Sequence, residues 1–379
     1  MKTKTLLILG MGHSQVDLAV AAREYGAKVY ACAHNVNGPA KIFLDGCKEI
    51  DILDIDGIVD YAKEIKADAI FTVGLEIALK PIAEASERLG LNTFFSSRTI
   101  DQLGDKIKWR KKLGNIAGNL NFTSGNNLAD FKSWAQYPAI LKPADGSGQR
   151  GVVKVNNFQE LETNFNRAKS FSKSGLLILE EFAYGDEISV NSLMEKGELK
   201  FAVMSDRISH KDVPGGIIKE HHIPSKYDYE PLATKVKTLV ENVNKIMGFR
   251  NGHIYFQLKI MDGDVSLIEF TPRFDGCHMW RLIKTACGID LLQASLEILF
   301  EGYSKTLSEY KNEDLTGQQY ILKFNSDIPG KLVKYNDYKI QDNASFNCWY
   351  YREGEKVKTV TSYLEKVGYY IYSKNSYSN

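Results

Sequence analysis

Residues 139–155 read AILKPADGSGQRGVVKV. An apolar run carrying one lysine, Lys142, leads into a loop dense in glycine, and Val152, Val153, Lys154 and Val155 then alternate as a returning strand does. The stretch is predicted to be a hairpin with a pliable tip. Gly146, Gly148 and Gly151 free the backbone to turn N–H groups toward a small anion, while Lys142, Ser147 and Arg150 add charge and hydroxyl donors. Such a tip suits a nucleotide phosphate. An ordinary solvent-exposed turn uses the same residue types, so this stretch alone leaves both readings open.

Around the hairpin lies a chain of 379 residues, long enough for two or three domains with their own cores. Its formal net charge is +1, with acids and bases interspersed, which gives no reason to expect a nucleic-acid or membrane-binding surface. Cys32, Cys47, Cys277, Cys287 and Cys348 are scattered without C-x-x-C spacing. That argues against a disulfide framework and a zinc site, and for a reduced, cytoplasmic setting. The segment LLILGMG is too short for the apolar part of a secretory leader, and no apolar run approaches the length of a membrane span.

Upstream, strands are expected at 5–9, 28–33 and 69–72, alternating with helices at 14–25, 58–65 and 77–89. This alternation predicts an α/β domain over residues 1–97 with a parallel sheet. The GMGHSQ segment begins like a dinucleotide fingerprint but has Gln15 at the third glycine position, and no acid ends the second strand. The loops holding Gly12, His13, Gly74 and Glu76 are better read as a substrate-facing surface at the carboxyl ends of these strands. Residues 98–120 then read as a helical segment with Asp105-Lys106 near its middle. The basic run Lys108, Arg110, Lys111 and Lys112 is expected to be a solvated helix face.

Downstream, 128–135, 157–170, 231–247 and 283–301 have helical spacing. In LLILEEFAYGDEISVNSLM a buried strand runs directly into Glu180 and Glu181, with Phe182 beside them and Glu187 after a glycine turn. Carboxylates there are either exposed strand ends or groups that hydrogen-bond a purine and its sugar. Residues 200–227 are expected as a strand and a long loop; adjacent His221 and His222 lack the further ligands of a zinc site. In GHIYFQLKIMDGDVSLIEFTPRFDGCHMW, residues 252–280, Asp262-Gly263 joins two strands on which Gln257 and Glu269 alternate with apolar residues. An amide and a carboxylate oxygen on paired strands are hard ligands suited to Mg²⁺. Arg273 follows on a proline-stiffened turn and can fork onto a phosphoryl or carboxylate group. The tail, with strands expected at 320–324, 332–335 and 369–372, is predicted to be β-rich.

In this order the elements resemble the ATP-grasp superfamily of carboxylate–amine and carboxylate–thiol ligases, in the branch holding carbamoyl-phosphate synthase halves, biotin carboxylase and L-amino-acid ligases. The resemblance implies a mixed α/β and α+β fold: a Rossmann-like preATP-grasp domain at 1–97, a two-lobed ATP-grasp core at 98–305 with a mobile lid lobe at about 120–178, and a small β-rich C-terminal domain at 306–379. It also implies that Lys106 and Lys142 contact ATP phosphates, that Gly146, Ser147, Gly148 and Gly151 belong to a phosphate-covering loop, and that Glu180, Glu181 and Phe182 meet adenine. Glu187 would hold the ribose, and Glu269 and Arg273 match the family's terminal motif. Gln257 stands where the family usually has an acid and Thr271 where it usually has asparagine, so the metal positions Gln257, Glu269 and Thr271 carry less negative charge than the pattern expects. The implied activity joins a carboxylate to an amine through an acyl phosphate, with ATP and Mg²⁺, or Mn²⁺, as cofactors and Arg273 and Lys142 as catalytic groups. Arg273, Asp275, Gly276 and His278 would face the substrates, although His278 and Trp280 also read as packing residues at a helix start. The partners expected are small molecules, with a homodimer as the base-rate assembly. Bicarbonate-dependent carboxylation, a carbamoyl-phosphate-synthase-like activity and nucleotide binding without turnover are the alternatives.

Overall fold

The computed structural model describes residues 3–146, 148–213, 216–311, 315, 317–360 and 363–375. Its N-terminal part is a parallel sheet of β1 (Thr5–Leu9), β2 (Lys28–Ala33), β3 (Gly46–Glu49) and β4 (Ala69–Phe71) in the order β3-β2-β1-β4. All five residues of β1 are buried, as the uninterrupted apolar run TLLIL requires of a strand covered on both faces. Helices α1 (His13–Glu24), α2 (Ile55–Glu64) and α3 (Leu79–Leu89) supply that cover.

The single helical segment expected over 98–120 is two helices, α4 (Ser97–Leu103) and α5 (Lys106–Leu113). Asp105 causes the break: its Oδ1 accepts the N–H groups of Ile107 at 2.9 Å and Lys108 at 3.2 Å, capping α5. Lys106 therefore opens a helix instead of sitting inside one.

A second sheet joins β5 (Phe122–Gly125), β6 (Ala139–Pro143), β7 (Val153–Val155) and β8 (Leu177–Glu181) in the antiparallel order β5-β8-β6-β7. The predicted hairpin is β6 and β7, in register Ala139↔Val155. Helix α6 (Phe158–Lys169), capped by the Asn157 carboxamide, packs Leu161, Phe165 and Ala168 against Leu141, Val155 and Leu179. The helix expected at 128–135 is only a 3₁₀ turn, Leu128–Phe131.

The third sheet has eight strands: β9 (Asp186–Glu195), β10 (Glu198–Ser209), β11 (Ile218–Ile223), β12 (Gly252–Met261), β13 (Asp264–Thr271), β14 (Gln318–Asp327), β15 (Phe346–Trp349) and β16 (Glu365–Asn375). Their order is β13-β12-β9-β10-β11-β14-β16-β15. The stretch expected as one strand and a long loop at 200–227 is thus two strands. Helix α7 (Leu232–Met247) buries Val236, Val240 and Val243 on the face of this sheet that carries Ile188, Ile254 and Phe256. The helix expected at 283–301 is α8 (Met279–Cys287) and α9 (Leu291–Glu301), separated where Gly288 takes a left-handed φ of 70° and Asp290 caps α9; α10 (Lys305–Glu309) follows. The C-terminal strands extend the same sheet, because β14 pairs with β11 from Glu220↔Lys323 to Ile223↔Tyr320. The strand expected at 332–335 is not formed: Leu332 makes one isolated bridge to Lys356, and a 3₁₀ turn begins at Tyr335. Among the described residues no helix is long and apolar enough to cross a membrane.

Candidate active site

Strand alternation builds the site from two sheets. Pairing of β6 with β8 sets Ile140 opposite Glu180 and Lys142 opposite Ile178, so Lys142 and Glu180 share one face. In the eight-stranded sheet, Gln257 lies opposite both Glu269 and Ser189, and Lys259 opposite Glu187. A bulge at Leu258 and Ile268 interrupts the β12–β13 ladder beside Gln257 and re-aims the chain there. The two faces bound a cleft of about 340 Å³ lined by Lys106, Lys142, Gly146, Gly148, Glu180, Glu181, Phe182, Glu187, Gln257 and Glu269. Ten residues picked out of the sequence, spread over more than 160 positions, therefore meet in one place. Ser147 lies outside the described residues.

The electrostatic centre of the cleft is a buried triad. Glu180 accepts from Arg110 Nε at 3.0 Å and from Lys142 Nζ at 2.5 Å, and the three residues are 2%, 0% and 7% exposed. Burial alone would raise the Glu180 carboxyl, but the Lys142 and Arg110 charges hold it down at about 2. Burial lowers the Lys142 ammonium from the usual lysine range; Glu180 opposes that shift and Arg110 adds to it. Arg110 is held further by Asn119 Oδ1 at 2.8 Å and by the carbonyls of Leu267 at 2.8 Å and Ile268 at 3.2 Å. It thereby ties α5 to both sheets. The expectation of a solvated basic face is wrong for Arg110, because it falls on the buried stripe with Ile107 and Leu113. That i, i+3, i+6 spacing was the available signal.

The glycine loop is anchored from both sides. Lys106 Nζ donates to Gly146 O at 2.6 Å, and the Asp145 carboxylate accepts from Ser172 Oγ at 2.8 Å and from Ser174 N at 2.7 Å. Gly148, Gln149 and Gly151 have φ of 65°, 59° and 73°, a run of left-handed backbone for which the glycines are suited. Gly151 closes the loop but does not line the cleft. At the other end, Glu181 accepts from Asn121 N at 2.9 Å and Nδ2 at 3.0 Å. The Phe182 ring lies under Lys154 Nζ at 4.1 Å. Both carboxylates of the Glu180–Glu181 pair thus have protein partners already. Glu187 pairs with Arg207, a residue the sequence reading passed over.

Thr271, Arg273, Asp275, Gly276 and His278 do not line this cleft. Thr271 sits two pairs further along the ladder, opposite Tyr255. Arg273 reaches Glu76 Oε2 at 3.2 Å and Phe274 O at 3.0 Å, and Gly276 comes up against Gly74, so this segment faces the loops of the first sheet that were read as substrate-facing. His278 is buried at the start of α8, where its Nδ1 is 3.1 Å from Asp17 Oδ2 and its ring stacks on Tyr369 at 4.4 Å. Trp280 and Arg281 converge on the same Asp17 carboxylate.

Past Glu269 lies a second polar group, with His221 and Asp275 buried and Arg207, Tyr255, Arg273 and Cys277 half-buried. His221 Nε2, both amide atoms of Asn191 and Arg273 Nε have no hydrogen-bond partner among the described residues, and such buried atoms are costly unless a ligand or water completes them. Ligand atoms of His221, Asp275 and Cys277 lie within 4.8 Å of one another. A cation is poorly served there, because burial and Asp275 push the Cys277 thiol up to about 11 and so keep it protonated; burial drives the His221 imidazole down to about 3, leaving it neutral. Arg207 and the ammonium of Lys366, 3.3 Å from Cys277 Sγ, add positive charge.

Residues 135–280 match the family described as the ATP-grasp domain. The chain is 28% identical over 276 residues to alanine–anticapsin ligase of Bacillus amyloliquefaciens, an alignment covering 65% of this chain and 57% of that protein. It spans 57–58% of the length of the three alanine–anticapsin ligases it matches. Its fold is similar to the crystal structure of L-amino acid ligase from Bacillus licheniformis, with a TM-score of 0.80 and 20% identity over 100% of this chain and 95% of that one. It is equally similar, at a TM-score of 0.80 and 18% identity over 97% and 86% of the two chains, to the biotin carboxylase domain of the Hydrogenobacter thermophilus 2-oxoglutarate carboxylase, solved with MgADP and bicarbonate.

Proposed function

We propose that the chain is a member of the ATP-grasp superfamily, whose domain model matches residues 135–280, and that it is an ATP-dependent ligase joining a small carboxylate to an amine, with ADP and phosphate as products. The observation that carries this reading is the meeting of Lys106, Lys142, the glycine loop and the Gln257–Glu269 pair in one cleft. Adenine would lie along Glu181, Phe182 and Ala183, with the ribose toward Glu187 and the triphosphate over Lys142 and under the loop. Glu180 is then a positioning residue, holding Lys142 against Arg110 so that one ammonium points into the cleft.

The oxygen donors Gln257 and Glu269 fit Mg²⁺, which keeps several waters and takes further ligands from phosphates; when bound it would neutralise charge on the β- and γ-phosphoryl groups. In the first step a carboxylate oxygen attacks the γ-phosphorus, the bond to the β-bridging oxygen breaks, and ADP leaves. In the second, the amine nitrogen attacks the acyl carbon and inorganic phosphate departs as the nitrogen loses a proton. The protein contributes position and charge: Lys106 and Lys142 offset the phosphoryl oxygens, and Arg273, beside the first-sheet loops, holds the carboxylate. Closure of the 146–151 loop would keep water from the acyl phosphate.

A second reading is favoured by one observation. Gln257 faces Glu269 where a second carboxylate would strengthen metal binding, so a nucleotide-binding member without turnover has a physical basis. A single screen separates the two. Amino acids and small acids are supplied in pairs with MgATP, with and without bicarbonate, and ADP and phosphate are measured. Release that requires a carboxylate and an amine, and that disappears in Lys142→Ala and Glu269→Ala, supports the ligase. Release that needs bicarbonate instead supports a carboxylase, and ATP binding without release supports the second reading.

A further inference from the structure

The turn that carries Arg273 is held by a side chain from the neighbouring strand. The β12–β13 ladder ends at Tyr255↔Thr271, and the chain then turns tightly, the Arg273 N–H donating to Thr271 O at 2.9 Å. Had the pairing run on, Arg273 would stand opposite His253, two residues further along each strand. His253 supplies a bond there with its ring instead: Nδ1 lies 2.9 Å from Arg273 O. A carbonyl only accepts, so Nδ1 carries the proton and Nε2 is an acceptor. The ring is 2% exposed and stacks on Phe274 with centroids 4.1 Å apart. Phe274 in turn meets Phe71 of the first sheet at 6.3 Å and Trp280 of α8 at 5.8 Å. The imidazole is thus fixed on its face and at one nitrogen, and burial, which drives it down to about 4, keeps it neutral.

His253 and Arg273 also share a cavity of about 30 Å³, room for one water, whose other walls are mostly apolar and include Ile70, Phe71, Leu79 and Ile82. Each residue brings to it a buried atom with no hydrogen-bond partner among the described residues: His253 Nε2, an acceptor, and Arg273 Nε, a donor. The two hydroxyls in the wall are engaged elsewhere, Thr72 Oγ1 with Leu9 O at 2.6 Å and Thr93 Oγ1 with Phe95 O at 3.3 Å. Of the terminal guanidinium nitrogens, Nη1 donates to Phe274 O at 3.0 Å and Nη2 reaches the exposed Glu76 carboxylate at 3.2 Å. Nη2 is therefore the end that a ligand carboxylate can take over from a solvated partner.

We propose that His253 is a positioning residue for Arg273: it holds the arginine's carbonyl directly and its Nε through one bridging water, and so aims Nη2 at the substrate carboxylate. That Arg273 receives a carboxylate rests on the ligase reading; the hold of His253 on Arg273 does not. Two variants separate this hold from packing. His253→Phe keeps the ring and its stack on Phe274 but loses both nitrogens, whereas His253→Asn loses the ring but keeps an amide N–H close to the place of Nδ1. The first readout is ¹⁵N NMR of the labelled full chain at neutral pH. The His253 ring, assigned by its loss in His253→Phe, shows the form protonated at Nδ1, and the Arg273 Nε–H signal, assigned by its loss in Arg273→Lys, shifts and broadens in His253→Phe but keeps its sharpness in His253→Asn. The second uses the carboxylate and amine that the screen selects. His253→Phe raises KM for the carboxylate about tenfold or more at unchanged KM for MgATP, and His253→Asn brings it back to within about threefold of the parent. A ring protonated at Nε2, an Arg273 signal unmoved in His253→Phe, or His253→Asn more damaging than His253→Phe overturns the proposal. The tautomer is read on the parent chain, so it decides even where a variant fails to fold. An Arg273 signal that follows this order in a chain releasing no ADP sinks the ligase reading alone; turnover with a carboxylate KM indifferent to His253→Phe sinks this proposal alone.

Discussion

Replacing Glu180 with glutamine removes the one negative charge between two buried cations while keeping the shape of the side chain. Taking one member from a buried ion pair costs about 3–5 kcal/mol, because the other charge is left in a poorly solvating interior. Arg110 retains Asn119 Oδ1 and the Leu267 and Ile268 carbonyls, and Lys142 retains the attraction of the Glu269 charge, so the lower end, about 3 kcal/mol, is expected. Urea unfolding followed by tryptophan fluorescence reads this directly, since the Trp109 ring lies 4.3 Å from the Arg110 guanidinium. The double variant Arg110→Met/Glu180→Met should lose less than the sum of its single changes, because both charges then leave together. The same variant has a second signature. Glu180 supports the Lys142 charge against burial and Arg110, so in Glu180→Gln the ammonium loses its proton at lower pH, and ATP affinity falls with rising pH earlier than in the parent. A loss below about 1 kcal/mol, strict additivity in the double variant, or coincident pH profiles for ATP binding would refute the reasoning.

Three further outcomes follow from the geometry. Glu269→Ala removes the only carboxylate of the Gln257–Glu269 pair, so titration of ADP with and without Mg²⁺ should show the metal-dependent part of the affinity vanish while metal-free binding persists; an undiminished magnesium effect would place the metal elsewhere. Gly185→Ala, at φ +95°, would drive a methyl group into the Ile260 carbonyl oxygen, whereas Gly197→Ala, at φ +87°, meets no atom within 4 Å; the second should cost about 1–2 kcal/mol from backbone strain alone and the first clearly more, and equal urea midpoints would contradict the close packing of the β8–β9 turn on β12. Burial lowers His221 to about 3 and His253 to about 4 from 6.5; the unfolded chain then binds protons the native chain does not, so stability is complete above pH 6.5 and is lost as pH falls from there toward 4. Glu180 and Glu220, held near 2, keep their contribution until pH drops below 4.5, so a urea midpoint unchanged between pH 7 and pH 5 would exclude the histidine contribution.

What was legible in the sequence was local. The 3.6-residue and two-residue periods marked α7, β1 and the β6–β7 hairpin, because one face of each buries apolar residues that repeat at the period of the element. Helix breaks were missed where a single side chain makes them: Asp105 and Asp290 end one helix and cap the next, and a capping hydrogen bond leaves no mark on periodicity. β3 and β15 escaped because GCKE and FNCW are four-residue strands at sheet edges, too short to display a period. The residues read as nucleotide-binding converge because they recur in a family order. Those without a motif, Asn191, Arg207 and Asp17, were invisible, since their roles arise from partners more than 60 residues away in the chain or from strand pairing, while Arg110 was marked only by its helical spacing. The continuity of β14–β16 with the central sheet was equally hidden, because a strand's sequence does not name its neighbour.

The account stands on the convergence of Lys106, Lys142, the glycine loop and Glu269 upon one triphosphate. Calorimetric titration of a non-hydrolysable ATP analogue in the presence of Mg²⁺ tests it most directly. One molecule should bind per chain, and Lys142→Ala, which leaves Glu180 its Arg110 partner, should weaken binding by about tenfold or more, the loss of one charge-assisted contact to phosphate. Failure of the parent chain to take up the nucleotide, or equal affinity in Lys142→Ala, would contradict it.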